Sequence, residues 1–202
     1  YITFFAESRT AVELNGVRVA VEQKTAYPND GEVSVAINPA KPTKFRLRLR
    51  IPTWTQGRFV PGQLYRYADS ITPPVTLAVN GQRVEAAVEK GFASIEREWR
   101  TGDRVVLNLP MPVRVTECHP SVKANVKRIA FTRGPLVLCA EGVDNGGATQ
   151  RFFFAKHPDV VPMIADWTVK KPAITDYLQA HGRVGIPYYQ VIPGNRGEVI
   201  EL

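Results

Sequence analysis

Cysteine and histidine are scarce in this chain of 202 residues, which holds two of the first and three of the second. Two cysteines cannot make a disulfide framework. Cys118 and Cys139 also lack metal-ligand spacing, and no histidine pair sits at a useful interval, so no metal site is expected. One disulfide between them and two reduced core thiols both remain open. The thiol reading is favoured, because Cys139 lies inside the apolar run Leu136-Val137-Leu138-Cys139-Ala140. Also missing is any run of ~18 apolar residues, so no membrane-spanning helix is predicted. There is no low-complexity segment and no convincing internal repeat. The chain begins Tyr1-Ile2-Thr3-Phe4-Phe5, without initiator Met, basic n-region or cleavage site. That start resembles the inside of a strand, and the expectation is a piece of something longer.

What is present is ordinary globular material with a basic excess. Hydrophobic residues make up 44%, enough for a packed core. The formal charge of +7 raises nucleic acid or an anionic polymer as a partner. The arrangement argues against it. In Lys44-Phe45-Arg46-Leu47-Arg48-Leu49-Arg50, basic and apolar residues alternate. In a strand this sets the cations on one solvated face and Phe45, Leu47 and Leu49 on a core face. No nucleic-acid partner is expected.

Period-two alternation dominates the first half. Ala11–Leu14 and Val17–Glu22 flank Asn15-Gly16, and Val75–Val79 and Arg83–Ala86 flank Asn80-Gly81. Asn-Gly between alternating runs signals a hairpin, since a type I′ turn needs two residues at positive φ. Further strands are expected at Val33–Asn38, Phe45–Ile51, Phe92–Glu98 and Arg104–Leu109. Pro52 to Pro74 fits neither period and reads as a long loop between two strands of one sheet. After Pro110-Met111-Pro112, strands are expected at Val113–Thr116, Arg128–Thr132, Leu136–Ala140, Tyr188–Ile192 and Glu198–Leu202. Pro172 to His181 is the one helix-like patch. The fold class predicted is all-β: two consecutive antiparallel, jelly-roll-like β-sandwich domains, 1-115 and 116-202, with at most one short helix.

Candidate chemistry is thin. Glu96 and Glu98 share a strand face, but Arg97 and Arg100 beside them suggest a solvated surface rather than a pair of glycosidase carboxylates. Asp144, in a Gly-rich loop, makes a poor calcium site alone. His119 beside Cys118 lacks a third partner for nucleophilic catalysis. His157 and His181 sit at a turn and a helix end. No catalytic residue is assigned. Trp54, Tyr65 and Tyr67 are the carbohydrate-contact candidates, because planar rings stack on the apolar faces of sugars. The competing and favoured reading has Trp54 plugging a sandwich end and the tyrosines covering another domain.

Several stretches resemble bacterial glycoside hydrolases of family 127, long a domain of unknown function, whose type activity is β-L-arabinofuranosidase. They are Trp99-Arg100-Thr101-Gly102-Asp103-Arg104 through Met111-Pro112-Val113-Arg114, and Arg128-Ile129-Ala130-Phe131-Thr132-Arg133-Gly134-Pro135-Leu136-Val137-Leu138-Cys139 through Asp144-Asn145. Tyr27-Pro28-Asn29-Asp30-Gly31, Arg48–Trp54, Ile186-Pro187-Tyr188-Tyr189 and Asn195-Arg196-Gly197 continue the likeness. The resemblance implies the family's middle and C-terminal β-sandwich domains. It implies that the chemistry lies in an N-terminal (α/α)6 barrel, where a cysteine nucleophile sits beside a zinc held by cysteines and a glutamate. The family's last such cysteine lies in a Cys-Cys-Pro-Pro-Asn-like run, and no Cys-Cys pair occurs here. None of those residues carries over, and no cofactor is expected in this stretch. The 61–74 segment looks longer than the type enzyme's loop, and the closing strand lacks an expected Met and Trp. The implied partners are the barrel and, beyond it, oligo- or polysaccharide, with a homo-oligomer also open. The alternative is a stand-alone carbohydrate-binding module.

Overall fold

The computed structural model describes residues 1–58, 60, 62–125, 128–140, 191–193 and 200–201. In chain order the strands of the first half are β1 (Ser8–Leu14), β2 (Val17–Thr25), β3 (Glu32–Pro39), β4 (Thr43–Arg50), β5 (Tyr65–Tyr67), β6 (Thr76–Val79) and β7 (Gln82–Arg83). Then come β8 (Val88–Glu89), β9 (Phe92–Trp99), β10 (Asp103–Asn108), β11 (Val113–Cys118), β12 (Arg128–Arg133), β13 (Leu136–Ala140), β14 (Val191–Pro193) and β15 (Ile200–Glu201). The pairs among these strands are antiparallel, with one isolated parallel bridge between Ile2 and Leu49, and the helical content described is two single 3-10 turns, Thr53–Gln56 and Lys123–Asn125. The all-β expectation holds. The helix-like patch at 172–181 lies outside the described residues.

The chain divides into two compact units, Tyr1–Gln56 with Thr72–Met111, and Gly57–Ile71 with Pro112–Leu202. The first is a sandwich. One sheet runs β1-β2-β3-β10-β6-β7 and the other β4-β9-β8. The alternation read from the sequence sends Val19, Val33, Val35, Ile37, Val105 and Leu107 inward from one sheet and Leu47, Leu49, Ile95 and Trp99 from the other. Each fully buried aliphatic side chain contributes roughly 1.5–3 kcal/mol. Trp99 is wholly buried, stacks on Phe45 at 5.6 Å between centroids, and donates its Nε1–H to the Phe45 carbonyl at 3.0 Å. Both Asn-Gly pairs take positive φ, 52° and 69° at Asn15-Gly16 and 52° and 79° at Asn80-Gly81, as a type I′ hairpin turn requires.

Side chains lock the Asn80-Gly81 turn to the turn at Arg100–Asp103, between β9 and β10. Asp103 accepts from the Asn80 amide and the Arg100 N–H, both at 2.8 Å, while Asn80 Oδ1 accepts from the Arg104 N–H at 2.8 Å. Burial pushes the Asp103 carboxyl up. The two hydrogen bonds and the nearby Arg97 and Arg100 outweigh it and leave the group below the ordinary aspartate range. Gly31 marks a close backbone approach: its carbonyl accepts from the Leu109 N–H at 2.9 Å, and a Cβ there would meet the Leu109 carbonyl oxygen at 1.8 Å.

In the second unit the described sheet runs β14-β13-β12-β11-β5, and β15 pairs with the start of β12. The segment read as a plain loop between two strands of one sheet is something else. β4 and β6, which it joins, lie in different sheets, and its middle forms β5 on the edge of a third, pairing Tyr67 with Thr116 and Tyr65 with Cys118. The division of the chain falls at Met111-Pro112, since β11 runs unbroken through residue 115. The strand expected at Arg83–Ala86 is shorter, Gln82–Arg83.

Candidate carbohydrate-contact site

Trp54 sits on the 3-10 turn Thr53–Gln56 of the first unit, half-buried against its core. Its Nε1–H is buried and finds no acceptor among the described residues. Tyr65 and Tyr67 belong to the second unit, on β5, where alternation sends both to one face of the strand. Tyr67 is buried. The Arg114 guanidinium lies over its ring, 3.4 Å from the centroid. Burial raises the Tyr67 phenol above its usual value; Arg114 and the Thr132 hydroxyl pull it partly back, and Asp69 adds to the rise. The structure therefore brings Tyr65 and Tyr67 together and puts Trp54 in the other unit.

Arg114 was not singled out by sequence, yet it organises this region. Its side chain is 8% exposed and ion-pairs with Asp69, which is 32% exposed. Nη2 donates to Asp69 Oδ1 at 2.6 Å and to the Asp69 carbonyl at 3.0 Å, and Nε donates to Oδ2 at 3.3 Å. Asp69 Oδ1 also accepts the Ile71 N–H at 2.9 Å. This clamp ties the end of 57–71 to β11. The two residues are 45 apart in sequence, and no local signal links them.

Beyond the tyrosines, the start of this segment and the end of β11 enclose a cavity of about 430 Å³, lined among others by Arg58, Gln63, Tyr65, Arg66 and His119. Cys118 is a half-buried free thiol whose Sγ–H donates to the Asn125 carbonyl at 2.9 Å. Asn125 in turn donates Nδ2–H to the Tyr65 hydroxyl at 3.1 Å. His119 Nδ1 faces Ser121, 3.0 Å from its hydroxyl and 3.2 Å from its N–H. These contacts give Cys118 and His119 no shared proton path, so neither is placed as a nucleophile or base.

The remaining sequence candidates resolve into surface chemistry. Glu96 pairs with Arg46 and, at 3.8 Å, with Lys44, which lowers its carboxyl below the ordinary range. Glu98 pairs with Arg100 at 3.1 Å. Arg48 lies 5.0 Å from the Tyr1 ring centroid. The basic stripe of β4 is thus a solvated, largely paired sheet face. Asp144, His157 and His181 lie outside the described residues, and Cys139 is placed only by its backbone on β13. Among the described residues no three of His, Cys, Asp and Glu come together as a metal set.

Two family models match consecutive stretches that cover nearly all of the chain. The beta-L-arabinofuranosidase GH127 middle domain matches residues 1–111, and the glycoside hydrolase family 127 C-terminal domain matches 113–199. A non-reducing end beta-L-arabinofuranosidase of Bifidobacterium longum subsp. longum is 33% identical over 132 residues, 64% of this chain and 18% of that protein. A solved GH127 beta-arabinofuranosidase superposes with a TM-score of 0.66 at 37% identity, over 70% of this chain and 22% of that one. The GH127 beta-L-arabinofuranosidase of Geobacillus stearothermophilus T6 does so at 0.65 and 27%, over 98% of this chain and 32% of that one. The chain thus spans a third or less of these relatives' length. With two consecutive domain models in the family's own order and a matching all-β fold, the chain belongs to glycoside hydrolase family 127, as its middle and C-terminal domains.

Proposed function

We propose that this chain is the non-catalytic β part of a β-L-arabinofuranosidase: it braces an (α/α)6 catalytic barrel, and its 57–71 segment shapes the cleft rim or a contact between copies. The observation that supports the reading is the order of the matches and how much of the chain they cover, a middle domain over 1–111 and a C-terminal domain over 113–199. The named activity of the aligned relatives supplies the substrate class. A segment that leaves one unit to build an edge strand in the other, and is held there by an ion pair to the buried Arg114, is suited to presenting a fixed surface. A free-standing carbohydrate-binding module is less well supported, because Tyr67 is buried beneath a guanidinium and Trp54 belongs to the other unit.

The test compares the 202-residue chain, the full-length parent, and the parent lacking residues 1–202, each with 4-nitrophenyl β-L-arabinofuranoside. The chain alone should release no nitrophenol, the parent should, and the truncated parent should melt at a lower temperature. Turnover by the isolated chain would overturn the reading. An unchanged melting temperature after truncation would remove the bracing role.

A further inference from the structure

The cavity in the second unit has a charged lining of a single sign. Arg58 and Arg66 contribute it, and among the described residues no Asp or Glu lines the cavity. Arg58 is exposed and makes no ion pair with any described residue. Arg66 is largely exposed and forms a solvent-screened surface ion pair with Glu117 at 3.4 Å. Two guanidiniums offer donors in the fork geometry that suits a carboxylate.

Neutral donors add to these. Tyr65 Oη already accepts from Asn125, so its own proton is left to give. With Nδ1 of His119 accepting the Ser121 N–H, the neutral ring carries its proton on Nε2. The wall is also held in place: the His119 N–H donates to the Leu64 carbonyl at 2.7 Å, and Cys118 fixes Asn125. Val60 and Pro120 supply apolar lining.

The cavity's ~430 Å³ falls among small-ligand clefts, ~300–1,000 Å³, and exceeds what acetate or phosphate fills. We propose that it binds a uronic-acid residue, with the carboxylate on Arg58 and Arg66 and ring hydroxyls on Tyr65 and Gln63. The choice of a sugar acid over other carboxylates rests on the carbohydrate role proposed above; the cation-lined cavity does not.

The 202-residue chain is titrated calorimetrically at low ionic strength with digalacturonate, arabinotriose, sodium acetate and inorganic phosphate. Digalacturonate should bind saturably, at least tenfold more tightly than the other three. Arg58→Gln and Arg66→Gln should each weaken it tenfold or more with an unchanged circular dichroism spectrum. Arg9→Gln, in the other unit, should leave it alone. No saturable binding, equal affinity for arabinotriose, equal affinity for acetate or phosphate, or indifference to both cavity substitutions would each overturn the proposal. Failure here with barrel-dependent hydrolysis intact would remove the site and leave the accessory role standing.

Discussion

Replacing Asp69 by Asn should cost more than its own exposure suggests. Asp69 is about a third open to water, so a carboxylate stranded there is easily rehydrated. Its partner is different: the Arg114 side chain is 8% exposed and sealed over Tyr67. Removing one member of a buried pair costs about 3–5 kcal/mol, because a charge is left uncompensated in low dielectric. Asp69→Asn leaves that charge at Arg114, and the retained carbonyl oxygen offsets little, so about 3 kcal/mol is expected. Arg114→Met removes the buried charge and keeps most of the volume. It strands only the partly solvated carboxylate and forfeits the ring contact, about 1–2 kcal/mol. The double variant should be more stable than Asp69→Asn alone, a coupling of opposite sign to simple addition. Two amides report on the clamp locally: Ala68 N–H, which donates to the Val115 carbonyl at 2.9 Å, and His119 N–H. Amide hydrogen exchange at Ala68 should accelerate about 100-fold in Asp69→Asn and about tenfold in Arg114→Met, at ~1.4 kcal/mol per decade. If Arg114→Met exchanges as fast as Asp69→Asn, or the double variant is the fastest of the three, the buried-charge argument is wrong.

Two further outcomes follow from the first unit. Gly31→Ala drives a methyl against Leu109 backbone atoms at 1.8 and 2.8 Å, so at least about 2 kcal/mol should be lost; a melting temperature within about 2 °C of the parent would show that the backbone yields there. The Asp103 carboxyl titrates lower folded than unfolded, so its contribution is present above pH ~4 and disappears as pH falls through the folded value. Asp103→Asn should flatten the acid side of the urea midpoint against pH, and an unchanged slope below pH ~4 would refute it.

Most strands were legible because their information is local. Asn15-Gly16 and Asn80-Gly81 need only their own φ angles, and Lys44–Arg50 needs only alternation over one polar and one apolar face. β5 was not, because Tyr65-Arg66-Tyr67 is three residues long amid Gly and Pro, and its partner β11 lies about 50 positions away. The same distance hid Arg114, which sits within an otherwise routine strand. Of the aromatic candidates, sequence could mark the rings but not their cover: Tyr67 was read as a surface feature, and the guanidinium above it comes from elsewhere in the chain.

The route of the chain through residues 57–71 has a genetic corollary. A cut at Met111-Pro112 looks natural on the linear map, where one family description stops and the next starts. Yet a gene ending there would carry β5 and Asp69 away from the sheet they complete, and a gene starting there would encode β11 with a bare edge and a buried cation lacking its counter-ion. The two halves are therefore expected to be inherited, swapped and expressed as a pair, since neither open reading frame specifies a whole folding unit.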